Sequence, residues 1–179
     1  MNKSIFFTII GLLAHFSLMA QSNYVGNILE QYIKTKERIQ NKELHSNVFR
    51  LNLGNLAWNN SLVYGRQEQY YYGLSDKRQV FLQLLVVTID SSNNQYQIEY
   101  LFDNNGKLIY CLEQQANPRY HYRELRTFYR EEKLIQLSED NVVVNSSTIF
   151  HSQKVKYFLE SARYYWDKFL YYMNQARGG

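Results

Sequence analysis

Hydrophobic positions along the chain change period twice. From Asn23 to Glu43 they recur at helical spacing. Val25, Ile28, Leu29, Tyr32, Ile33 and Ile39 fall near one face, and Glu30, Lys34, Glu37 and Arg38 near the other. Glu30 and Lys34 stand four apart, which supports a helix, and Ser22 or Asn23 can cap its start. Phe49, Leu51 and Leu53 then alternate with polar residues, as a half-buried strand does. From Ser61 to about Ser138 the period is two. Val80 to Ile89 is nearly continuously apolar and β-branched, which predicts a central strand covered on both faces. Either the helices lie on opposite faces of the sheet, or the sheet curls and covers itself.

Gln95 to Phe102 alternates cleanly, Asp103 to Gly106 is turn chemistry, and Lys107 to Gln114 returns as the next strand. Read this way, Cys111 shares a side with Ile109, Glu99 lies near Tyr110, and Glu113 lies near Tyr96. Tyr100 to Glu113 weakly repeats as Thr127 to Glu139: an aromatic residue, a polar turn, Lys-Leu-Ile, then a Glu. Two consecutive hairpins of one sheet explain this, and no further copy at a fixed period is expected. Asn117-Pro118 can start a helix with Arg119, Arg123, Arg126 and Arg130 on one face. As a strand, the same stretch places Tyr122, Glu124, Arg126, Phe128 and Arg130 on one side. The repeat favours the strand.

Ser152 to Arg177 returns to helical period. Val155, Phe158, Leu159, Ala162, Trp166, Phe169, Leu170 and Met173 form its apolar stripe, with Ser152 as start cap and Gly178 as end cap. A helix, an antiparallel meander of about six or seven strands and a long C-terminal helix packed on the sheet make an α+β fold.

The first twenty residues stand apart from this pattern. Lys3 precedes an apolar run from Ile5 to Ala20, after which the chain turns polar. That is the layout of a secretory signal peptide, with cleavage expected after Ala20. The run is short for a stable span, so membrane contact is expected only through this segment before cleavage. The mature chain is then one soluble α+β domain, 21–179, that is periplasmic or secreted. Cleavage leaves 19 basic and 16 acidic residues, a net of +3. This mild surplus carries no nucleic-acid footprint.

Composition narrows the chemistry. One Cys excludes an internal disulfide framework and a cysteine-built zinc site. There is no low-complexity stretch and no coiled-coil heptad array. His45, His121 and His151 are far apart and without ligand spacing, so no metal and no cofactor are expected. Cys111 with His121 is the one inexpensive dyad, and a lone Cys among apolar neighbours reads as inert core. Glu99 and Glu113 are offset on neighbouring strands and read as exposed glutamates rather than a glycosidase pair. Asp103 to Gly106 faintly resembles a calcium loop but lacks its oxygen ligands.

Seventeen Tyr are the unusual feature. Adjacent tyrosines on a strand point to opposite faces, so each run is expected to hold one away from the core. On the final helix Tyr164, Lys168 and Tyr171 lie together off the apolar stripe. Arg119, Arg123, Arg126 and Arg130 interleave with Tyr122 and other aromatics, and such mixtures grip carboxylates or sugar faces. The expectation is a non-enzymatic protein that binds a protein or envelope component through a Tyr/Arg-rich surface. The alternative is a small-ligand binder with a Tyr-lined pocket in a curled sheet, followed by a hydrolase built from dispersed residues.

Overall fold

Each change of period corresponds to a change of element. The computed structural model describes residues 23–51, 63–74, 79–91, 95–117 and 120–177. Helix α1 spans residues 23–40. Eight strands follow: β1 (His45–Leu51), β2 (Val63–Leu74), β3 (Val80–Ser91), β4 (Gln95–Phe102), β5 (Leu108–Asn117), β6 (Tyr120–Arg130), β7 (Lys133–Glu139) and β8 (Val142–Val143). Helix α2 (Ile149–Arg177) closes the chain. The strands form one antiparallel sheet in the order β1 to β8, a simple meander. Residues 1–22, on which the expected signal peptide falls, and Gly178 lie outside the described residues.

The two helices cover opposite faces, which answers the doubly apolar β3. On one face Val25 and Ile28 of α1 join Leu84, Leu101, Tyr110, Leu112 and Phe128 in a core. On the other, Phe158, Ala162, Tyr165 and Phe169 of α2 join Leu85, Tyr100, Phe102, Cys111 and Leu137. Full burial of such a ring is worth about 2–3 kcal/mol. The core therefore sits in two layers, one on each side of the sheet.

Both helices run across the strands. Along α1, Tyr24 meets Arg130 of β6, Tyr32 meets Tyr110 of β5, Lys36 meets Glu99 of β4, and Arg38 meets Gln83 of β3. Along α2, His151 meets Glu139 of β7, Lys154 meets Glu113 of β5, Phe158 meets Tyr100 of β4, Lys168 meets Glu68 of β2, and Asn47 of β1 meets Met173.

Three hairpins carry the same irregularity. In β2–β3, Tyr71 pairs with Leu84 and Tyr72 with Leu82, so Gln83 is extra. In β4–β5 the extra residue is Ile109, and in β6–β7 it is Ile135. These positions, 83, 109 and 135, are spaced by 26 residues at each step. The bulge turns two consecutive residues to one face. All three extra residues point toward α1: Gln83 bonds Arg38, and Ile109 and Ile135 pack in the α1 core.

This corrects several sequence expectations. The bulge of the two repeated hairpins, though not the residues of the repeat, recurs at the same period in β2–β3. Cys111 does not share a face with Ile109, because the bulge flips the alternation between them. Glu113 pairs with Ile98, and Glu99 with Leu112, so the two carboxylates face opposite helices. They are not exposed glutamates: Glu99 is 2% accessible and receives Lys36 at 2.9 Å and the Tyr32 hydroxyl at 2.8 Å. Tyr70 and Tyr71 point to opposite faces, yet both pack in cores, because both faces are covered.

At the helices, Ile33 is 55% exposed and Thr35 takes the inward position instead, its hydroxyl donating to the Gln31 carbonyl. Helix α2 starts three residues earlier than expected. Thr148, not Ser152, caps it, its Oγ1 accepting from the His151 amide at 3.1 Å. Residues 120–130 form strand β6 rather than a helix.

Candidate functional site

The side of α2 turned away from the sheet carries the least ordinary surface of the described chain. Phe150, Tyr157, Tyr164 and Tyr171 recur every seven residues and are 44%, 45%, 59% and 61% exposed. Seven residues are nearly two turns, so the rings form a stripe with steps of about 10.5 Å along the axis. A second row at the same spacing, Lys154, Ser161 and Lys168, lies on the shoulder between stripe and core. Gln153, Glu160, Asp167 and Asn174 are exposed along the other flank.

The shoulder lysines anchor the helix. Lys168 reaches down to Glu68, 2.7 Å away and itself 2% accessible. Glu68 also receives the Tyr70 hydroxyl at 2.9 Å and Arg66 at 3.1 Å. Lys154 holds Glu113 at 2.6 Å. Both ammonium groups also lie beside rings of the stripe: Lys154 is 6.0 Å from the Tyr157 centroid, and Lys168 is 5.9 Å from that of Tyr164. Arg123 of β6 lies 5.0 Å from the Phe150 centroid and pairs with Glu139. A seven-residue row of rings with polar residues between is not a coiled-coil seam, which needs a second apolar position in each heptad.

The residues singled out in the sequence divide between places. Tyr164 and Tyr171 are in the exposed stripe, and Lys168 is committed to Glu68 beneath it. Arg123 joins the stripe at Phe150. Arg126 and Arg130 lie on the α1 side of the sheet, where Arg126 pairs with Glu124 at 2.6 Å and bonds Asn141, and Arg130 stacks on Tyr24. The structure thus does not gather the arginines into one patch. Arg119 and the side chain of Tyr122 lie outside the described residues. Sequence reading missed Phe150 and Tyr157; the signal was the seven-residue step back from Tyr164 and Tyr171.

Other chemistry is placed as follows. Cys111 is fully buried, and burial pushes its thiol well above its ordinary value, with the Glu113 charge adding to this. Its cross-strand neighbour is Thr127. His121 lies six residues further along β6, roughly 20 Å away. His45 stacks on Tyr72, and His151 Nδ1 lies 3.0 Å from the Asn145 carbonyl. No three His, Cys, Asp or Glu side chains converge among the described residues. Asp103 to Gly106 is a hairpin turn, the Asp103 carboxylate accepting from the amides of Asn105 and Lys107. A cleft of about 130 Å³ lies at the start of α2, between Glu113, Arg123, Phe150 and Lys154. A shallow one of about 410 Å³ runs beside α1, between Lys34, Arg38, Gln83 and Asn104. The tyrosines a ligand pocket would use as lining, Tyr70, Tyr100, Tyr110 and Tyr129, are packed into the two cores.

No helix of the described residues is long and apolar enough to cross a membrane. Comparison of the chain with protein-family models, curated proteins and solved structures finds no match in any of the three.

Proposed function

We propose that this chain is an exported, non-enzymatic binding protein whose working surface is the outer face of α2. The observation that supports the reading is the exposed row Phe150, Tyr157, Tyr164 and Tyr171. Aromatic rings left in water in a regularly spaced row offer an interaction surface, because covering them returns the hydrophobic free energy that folding left unused. Tyr adds a polar tip and little conformational entropy to lose, which suits a wet interface. The helix beneath is held by the Lys154–Glu113 and Lys168–Glu68 pairs, so the rings are presented on a rigid element.

The reading is tested with a photo-activatable side chain at position 164 or 171, and a control at Ser46, exposed on β1. Incubated with envelope material and irradiated, the α2 positions should give a saturable adduct that unlabelled protein competes away. Equal labelling from Ser46 contradicts it.

A further inference from the structure

The ring spacing and the charge around it point to a ligand class, and this inference rests on the reading of α2 as the binding face. We infer that the stripe binds an uncharged, extended β-1,4-linked polysaccharide. Three observations carry this. First, the four rings stand about 10.5 Å apart along the helix axis. An extended β-1,4-linked pyranose chain turns the same face outward at every second sugar, at nearly this step. Each ring therefore meets an equivalent C–H face. The stripe rotates by about 20° per interval, so the sugar chain follows a shallow twist.

Second, the cations beside the stripe stand in ion pairs, two of them reaching under the helix. Lys154, Lys156, Arg163 and Lys168 lie 2.6, 3.7, 2.9 and 2.7 Å from the carboxylates of Glu113, Glu160, Glu132 and Glu68. Arg123 is paired with Glu139. A phosphate-rich surface or an acidic polymer would find each of these cations beside a carboxylate and would meet Glu160 and Asp167 along the flank. An uncharged ligand loses nothing by this.

Third, polar side chains run along both sides of the rings. Ser161 on one flank and Gln153 and Asn174 on the other supply donors and acceptors for hydroxyl groups. A protein partner docking through large apolar anchors would need pockets between the rings. Here the positions between them are hydrophilic.

The test is native gel electrophoresis of the mature chain through hydroxyethylcellulose or a β-1,4-linked glucomannan, with dextran as the α-linked control. Titration with a β-1,4-linked hexasaccharide and the matching disaccharide follows. Retardation is expected in the β-linked polymers and not in dextran, with the hexasaccharide binding at least tenfold more tightly than the disaccharide. Tyr164→Ala and Tyr171→Ala should each weaken retention about tenfold, whereas Tyr164→Phe keeps it, since the ring face makes the contact. These side chains are exposed, so melting temperatures should stay unchanged. Retention that ignores both Ala variants, or that is equal in dextran, overturns the inference. A saturable protein adduct at position 164 without retention in any β-linked polymer overturns the ligand class and leaves the binding face standing. Neither adduct nor retention overturns both.

Discussion

Ile109 and Ile135 occupy the same place in two consecutive hairpins: each is the extra residue of a β-bulge, and each packs in the core beneath α1. The Lys-Leu-Ile that ends on each bulge residue is the sequence trace of this shared geometry. Ile109 is the more deeply buried. Ile109→Ala should therefore cost about 3 kcal/mol and Ile135→Ala about 1 kcal/mol. Urea unfolding of the two variants measures the difference.

Gly106 closes the β4–β5 turn at φ +80°, directly under α2. An L side chain is strained at this φ, and a Cβ would also run into the Trp166 indole. Gly106→Ala should cost at least about 2 kcal/mol, the sum of backbone strain and overpacking. Pairing it with Trp166→Ala should recover the packing part, which thermal melts of the three variants will show.

The Glu68–Lys168 contact is a buried charge pair that ties α2 to β2. Lys168→Met should cost about 2 kcal/mol, held below the cost of a fully orphaned charge because Arg66 remains beside Glu68. The double variant Glu68→Gln/Lys168→Met should lose less than the sum of the single losses. A double-mutant cycle in urea gives the coupling.

Burial pushes the phenols of Tyr70, Tyr100, Tyr110, Tyr129 and Tyr165 above their ordinary value, with the Glu68 charge adding to this at Tyr70 and Tyr165. The unfolded chain ionises them near pH 10, whereas the fold holds them neutral. Their contribution to stability is thus fully present below about pH 10 and falls as pH rises further. Their tyrosinate absorbance should appear together with loss of helical ellipticity, in one alkaline transition.

The layered architecture was legible because period is a direct consequence of which side a residue buries. The apolar run of β3 announced cover on both faces before either helix was placed. The bulges were hidden: one inserted residue leaves the composition unchanged while it reverses every face assignment beyond it, as between Ile109 and Cys111. The third bulge was hidden too, since Phe81 to Gln83 shares the geometry of Lys-Leu-Ile but not its residues. Glu99 and Glu113 looked like exposed strand glutamates because their partners, Lys36 and Lys154, are 63 and 41 residues away in sequence. On α2, Tyr164 and Tyr171 stood off the apolar stripe in the sequence, whereas Phe150 lay before the helix expected from Ser152, and Tyr157 shows only by the seven-residue step back. Tyr165 faces Tyr100 in the core, beside exposed Tyr164, which only the docked helix reveals.

The most direct test removes the stripe and leaves the fold. The triple variant Tyr157→Ala/Tyr164→Ala/Tyr171→Ala and the unmodified chain, both as residues 21–179, are passed over immobilised envelope material, and the bound fraction is measured beside each protein's melting temperature. Retention of the unmodified chain and loss of the variant, at equal melting temperature, is the predicted result. Equal retention of both would contradict the assignment of binding to the outer face of α2.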